Sequence, residues 1–261
     1  MGPIKHVLWW AALMLVGVGF SGCDSTPNGG GGNGAEYNLV VVLEKNLDSG
    51  QDVIYVRFRK DGVGISGGVV VIDADTIATS SASGQGNKTY SAPRWQHTEK
   101  IQIAAIDLTE SFVYHDSVVI PDEFEIENIL PTNRIWRPID GNAQVSWTTS
   151  VGAVNYAVSV RARDLSTSSI GYGEYSESQT ALSQVIPPGA FKTATDNLVE
   201  DVYDFTIIAY SPNFIRRKNP PYAYLLPPND DVRTPILRDN IDGGIAALVV
   251  SVHDTLRVQT Q

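Results

Sequence analysis

Tyr203-Asp-Phe-Thr-Ile-Ile-Ala-Tyr-Ser211 decides the fold class. Read at a period of two, Tyr203, Phe205, Ile207 and Ala209 fall on one side of an extended chain, whereas helical spacing would spread them around an axis. The same alternation appears upstream in Ala143-Gln-Val-Ser-Trp147 and in Asn155-Tyr-Ala-Val-Ser-Val-Arg161. Further toward the N-terminus, strands are expected at Tyr37 to Glu44, Val53 to Arg59, Gly68 to Asp73, Lys100 to Asp107 and Val113 to Ile120, bounded by Gly, Asp, Ser and Asn clusters. Toward the C-terminus, Ile245 to Val252 and Thr255 to Gln259 predict a hairpin turning at His253-Asp254. Thr79 to Gly86 reads as a mobile loop, and the stretch from Pro187 to Asp201 is the one place where a short helix fits. The class is all-β.

Trp147 at the end of one strand, Tyr156 on the next, and Leu198 leading into Tyr203 are similar to the B-strand tryptophan, C-strand tyrosine and tyrosine corner of fibronectin type III domains. The likeness covers roughly residues 124 to 215, and it implies a β-sandwich. The strand cadence of the first half suits an immunoglobulin-like sandwich. Pro121-Asp122-Glu123 interrupts the pattern, so the expected domains are 37–121, immunoglobulin-like, and 122–261, fibronectin type III-like with a C-terminal extension.

The N-terminus carries an address. Lys5 and His6 precede an apolar run from Val7 to Phe20 that ends in Ser21 and Gly22, the layout of an export signal. The run is about 14 residues, short of the roughly 20 that a membrane-spanning helix needs. The sole cysteine, Cys23, follows directly. Phe-Ser-Gly-Cys23 resembles the lipobox of bacterial lipoproteins, with Phe20 standing where leucine is commonest. The resemblance implies that residues 1–22 are a signal peptide and that Cys23 is diacylated, with palmitate-type chains, as the first residue of a protein held on an envelope membrane. Two acyl chains anchor far more firmly than one. Residues 23–36 would then be a Gly-rich leash with a root-mean-square span of about 20 Å.

Composition narrows the partners. The formal charge is −10 at neutral pH, and loss of residues 1–22 removes Lys5 but no carboxylate, making it one unit more negative. Such a surface is repelled by nucleic acid and by anionic headgroups. With its one cysteine acylated, the mature chain can form no internal disulfide, so its core must hold it unaided.

Glycine-rich Gly62-Val-Gly-Ile-Ser-Gly-Gly68 satisfies both G-x-G-x-x-G and G-x-S-x-G. Each pattern acts only where a strand hands over to a helix, which receives a pyrophosphate or aims the serine. Here Val69-Val-Val-Ile72 follows, a strand, so a hairpin loop is the expectation. His97, His115 and His253 are scattered without metal-ligand spacing, and His115-Asp116 is a neighbour pair on a strand rather than a dyad. Carboxylates come in pairs, Glu125 and Glu127 among them, which on a strand share a face and suit a glycosidase pair, a calcium clamp or solvated acidic edges. No cofactor is expected, although Asp-rich turns could supply the hard oxygen ligands of calcium.

Aromatics give the better lead. Trp95, Trp136, Tyr172, Tyr175, Tyr222 and Tyr224 all stand in loop-like, Gly- or Pro-rich surroundings and are the candidate partner-binding residues. Exposed on rigid loops they would stack on sugar faces or anchor a protein; the alternative is that Trp136 packs a seam and the last two tyrosines cover a sheet edge. The reading is an envelope-anchored, non-enzymatic binding or scaffold module for a protein or glycan partner. Its rivals are a carboxylate-based glycan hydrolase and a structural accessory subunit of an outer-membrane complex.

Overall fold

The computed structural model describes residues 36–95, 100–164, 166, 169–175, 181–211 and 241–260. The first half forms β1 (Tyr37–Asn46), β2 (Gln51–Lys60), β3 (Val63–Gly64), β4 (Gly68–Ile72), β5 (Asp75–Ala78), β6 (Gln85–Tyr90), β7 (Lys100–Asp107) and β8 (Phe112–Val119). The second forms β9 (Ile126–Leu130), β10 (Ile135–Trp136), β11 (Ala143–Trp147), β12 (Asn155–Ala162), β13 (Tyr172–Tyr175), β14 (Ser183–Ile186), β15 (Val202–Ser211), β16 (Ile241–Val250) and β17 (Asp254–Val258). The only helical pieces among the described residues are short 3₁₀ turns at Pro138–Asp140 and Pro188–Phe191, the second within the stretch where a helix was expected. The all-β sandwich class is what the chain forms.

Two small sheets face one large one. Strands β5-β4-β7-β8 make one small sheet and β14-β11-β9 the other. The large sheet runs β10-β17-β15-β16-β1-β2-β3, with β12 and β13 extending from β15 and β6 pairing with β2. In the second half, β9, β11 and β14 face β13, β12, β15 and β17, the division of a fibronectin type III-like sandwich. Trp147 and Tyr203 are fully buried between these layers, and the Tyr203 hydroxyl donates to the Val199 carbonyl at 3.2 Å, fixing the corner.

A boundary at residue 121 does not divide the large sheet. Strand β1 pairs in parallel with β16 over its whole length, Tyr37 opposite Ile241 through Asn46 opposite Val250, while its other edge pairs with β2. The two sandwiches therefore share a sheet. Parallel strands in a sheet centre are covered on both faces and read as unbroken apolar runs. Leu39-Val-Val-Val-Leu43 and Ile245-Ala-Ala-Leu-Val-Val250 are such runs. Leu39, Val41 and Leu43 join the main core, which continues through both sandwiches, while Val40 and Val42 turn to the other face with Ala157, Ile208, Leu248 and Val250 in a second buried cluster.

The C-terminal hairpin is also corrected. Strands β16 and β17 run in one direction along the same edge of β15, Val250 opposite Ile208 and Asp254 opposite Phe205. They are one strand with a step in it, not two strands folded back. Buried Ser251 bridges the step: its amide donates to the Ile207 carbonyl at 2.9 Å, and its hydroxyl accepts from the Ile207 amide at 3.0 Å. The backbone polar groups stay paired, so the step leaves no orphan in the core. The stretch from Thr79 to Gly86 is likewise ordered. Ser80 accepts the Gly84 amide at 2.7 Å and donates its own to Gln85, after which β6 begins. A β-carbon on Gly84, at φ +70°, would lie 2.4 Å from the Phe58 carbonyl oxygen, so glycine is required where this turn crosses β2.

Candidate functional site

A cleft of about 550 Å³ opens where the two sandwiches meet, at the end of β1. Five separate segments build it. Strand β1 and its turn into β2 supply Lys45, Asn46, Leu47, Gly50 and Asp52. Pro93 comes from the loop after β6, Glu123, Phe124 and Glu125 from the link between halves, Thr148 from the end of β11, and Val252 from the step in the C-terminal strand.

Lys45 sits in the inward phase of β1, after Leu39, Val41 and Leu43, a position that normally takes an apolar side chain. It is 4% exposed. A buried ammonium survives only if paired and hydrogen-bonded. Lys45 meets the Glu123 carboxylate at 2.9 Å and donates to the Trp95 carbonyl at 3.2 Å. Asp52, 1% exposed, accepts the amides of Arg94 and Trp95, the latter at 3.1 Å. These two charges pin the 93–95 segment and the 121–125 link onto the β1–β2 turn. The link is held further: the Glu125 amide donates to the Thr148 hydroxyl and the Thr148 amide to the Glu125 carbonyl, both at 2.9 Å. The Ser150 hydroxyl donates to the Asp122 carbonyl. On the rim, His253 Nδ1 lies 2.7 Å from Asp48.

Of the aromatic candidates, Trp95 and Trp136 lie in the core rather than on a surface. Trp95 is buried, packed edge-on against Tyr90 at 6.0 Å between ring centroids, and its backbone rather than its ring serves the cleft. Trp136 is fully buried against Phe191, with its indole N–H donated to the Gly141 carbonyl at 2.9 Å. Both read as loop residues because short turns flank them, yet apolar rings of that size are drawn into whatever core they can reach. Tyr172 is half-buried on β13, and its hydroxyl accepts from Gln184 Nε2 at 2.7 Å. Tyr175 pairs through its backbone with Ala157. Tyr222, Tyr224 and Cys23 lie outside the described residues, as does His97.

The catalytic patterns stay apart. Gly62 and Gly67 take positive φ in the turns between β2 and β4, and exposed Ser66 is followed by a strand, as the sequence implied. Its carbonyl accepts a hydrogen bond from the Thr109 hydroxyl. His115 is exposed on β8, while the Asp116 carboxylate accepts the Tyr114 hydroxyl. Glu125 lines the cleft and Glu127 does not, so this pair does not converge on one space. Burial pushes the Glu44 carboxyl above the usual carboxylate range despite a hydrogen bond from Asn46, but the strand alternation puts it on the face opposite Lys45. Asp75 binds Lys88, Tyr90 and Arg94; burial raises its carboxyl, and the hydrogen bonds from Lys88 and Tyr90 outweigh this to hold it below the usual range. Among the described residues, no three of His, Cys, Asp and Glu gather at metal-binding distance. No described helix is long and apolar enough to cross a membrane.

Sequence reading missed the cleft because its residues are dispersed over more than two hundred positions. One signal was available: a lysine in the inward phase of an otherwise apolar strand demands a buried anion and marks a place where chain segments converge.

No family model and no curated protein sequence matches the chain. Among solved structures it is similar to a chain of a cytokine receptor complex in crystal form 1A, at 11% identity over 84% of this chain and 95% of that one, with a TM-score of 0.28. A cytokine receptor complex in crystal form 2 gives 14% identity over 66% and 89%, with a TM-score of 0.26. The chicken CNTN1 FN1–FN3 domains give 8% over 65% and 57%, with a TM-score of 0.25. At such TM-scores these likenesses carry nothing about ligand or activity.

Proposed function

We propose that this chain is a lipoprotein, tethered to an envelope membrane through Cys23, that binds a protein partner in the cleft and catalyses no reaction. The observation that carries the reading is the cleft: residues from five segments line it, three of these segments are pinned together by the buried charges of Lys45 and Asp52, and the frame is one that a shared sheet makes continuous. A rigid frame with a preformed concavity limits the ordering cost of association. The N-terminal sequence supports the tether. Chain preceding residue 36 joins at the start of β1, and Lys45 lies about 27 Å further along that strand, so the cleft opens at the opposite end from the point of attachment.

Mass spectrometry and affinity capture test it together. The wild-type protein should carry a diacylated Cys23 and retain its partner from detergent-solubilised membranes of the native cell, whereas Cys23→Ser should leave precursor or soluble exported protein. Val252→Trp, which fills the cleft from an exposed position, should lose the partner while melting as the wild type does. An unmodified Cys23 thiol would remove the anchor, and capture unaffected by Val252→Trp would remove the cleft. Turnover of a glycan that disappears in Glu125→Gln would replace binding with hydrolysis.

A further inference from the structure

We infer that the shared sheet is a load-bearing clamp: β1 carries tension applied at its N-terminal end, and Lys45 is the stop that keeps it from sliding. This goes beyond the binding reading, and only the source of the tension rests on the tether proposed at Cys23. All of β1, from Tyr37 to Asn46, is paired on both sides, in parallel with β16 and antiparallel with β2. Strand β16 and its continuation β17 run the same way as β1 and go on past its end, as far as Arg257 opposite Val202. The chain thus enters β1 at one end of the sheet and leaves β17 at the other. Tension between those two points loads the β1–β16 ladder lengthwise, so its hydrogen bonds share the load and must give way together. A pull across the strands would instead open them one pair at a time.

A strand loaded lengthwise fails by sliding, and the side chains of β1 resist that. A slip of one residue sends every side chain to the opposite face, exchanging Leu39, Val41 and Leu43 of the main core with Val40 and Val42 of the second cluster. A slip of two residues, about 7 Å, restores the phase. When the pull comes from the N-terminal side, that slip draws Lys45 into the place of Leu43, which is fully buried. The ammonium would leave the Glu123 carboxylate, 2.9 Å away, and the Trp95 carbonyl for an apolar site. An unpaired charge is among the costliest things a core can take in. An apolar side chain at position 45 would slide without that penalty. The stop also has a direction, because a slip the other way carries Lys45 toward the end of the sheet rather than into the core.

Single-molecule pulling on the full chain, unacylated and held by the thiol of its sole cysteine, Cys23, tests the clamp. The second handle is placed in one of two ways. A cysteine appended after Gln261 loads β1 lengthwise. Val63→Cys, at an exposed position paired with Lys60 at the same end of the sheet as Tyr37, peels β1 from β2. At one loading rate, the C-terminal handle should need severalfold the force of the Val63 handle. Lys45→Met should lower the first force and leave the second unchanged. Forced unfolding reads the unfolding barrier in the direction of pull, so a variant that is merely less stable loses force in both geometries. Equal forces with the two handles would overturn the clamp, and a loss shared by both geometries in Lys45→Met would overturn the stop. An unmodified Cys23 in the native protein would instead remove the tether and leave the clamp standing.

Discussion

Trp147→Ala should destabilise both halves of the protein, not one. The indole is fully buried between β11 and the facing sheet, 5.5 Å from the Tyr156 ring centroid. A buried tryptophan covers roughly 150 to 250 Å², and losing all but a methyl's share at about 25 cal/mol per Å² costs about 4 kcal/mol. Its Nε1 has no hydrogen-bond partner among the described residues, so truncation also relieves a buried polar group that costs about 1 kcal/mol or more. The net loss is about 3 kcal/mol, at the low end for tryptophan truncations. For a chain of this size it lowers the melting temperature by about 6 to 12 °C. Calorimetry gives the shift, and the indole N–H resonances of Trp95 and Trp136, one from each half, report whether melting is shared. Because β1 is held between β2 and β16, the two signals should vanish together. A first half that keeps its Trp95 resonance after Trp136 has melted would refute the coupling.

Two carboxylates predict opposite pH behaviour. Glu44 has a folded-state pKa raised by burial, so its contribution is intact below the unfolded value of about 4.3 and falls away as pH rises through the folded one. Glu44→Gln should therefore raise the melting temperature at pH 7 and leave it unchanged near pH 3.5; a loss at pH 7 would contradict this. Asp75 is depressed, so its stabilisation is present above the unfolded value of about 3.9 and lost as pH falls through the folded one. Asp75→Asn should cost about 1 kcal/mol at pH 7, with the gap to wild type closing in acid when measured by urea unfolding across pH.

The strands with strict alternation were legible. Lys100–Asp107 and Ala143–Trp147 lie where the period of two put them, because one face meets the core and the other does not. Edge strands were not: Gln85-Gly-Asn-Lys-Thr-Tyr90 has little apolar phase to read, since only one of its edges is paired and it stands at the margin of the sheet. The shared sheet was hidden for another reason. Pairing of β1 with β16 joins residues some two hundred positions apart, and nothing local encodes a long-range parallel register. Its trace was the apolar run that breaks alternation in both strands, the mark of burial on two faces. The stepped C-terminal strand reads as a hairpin because His253-Asp254 resembles a turn, whereas Ser251 preserves the ladder by bonding Ile207. The cleft depends on that junction, so whatever concealed the junction concealed the site.

Native-state hydrogen exchange at β1 tests the shared sheet most directly. Amides from Leu39 to Leu43 should exchange as slowly as those from Phe205 to Ile208 in β15, through the same global opening and with the same denaturant dependence. Exchange of the β1 amides through a separate opening of lower free energy, while β15 stays protected, would show two independent sandwiches and contradict the frame on which the cleft is built.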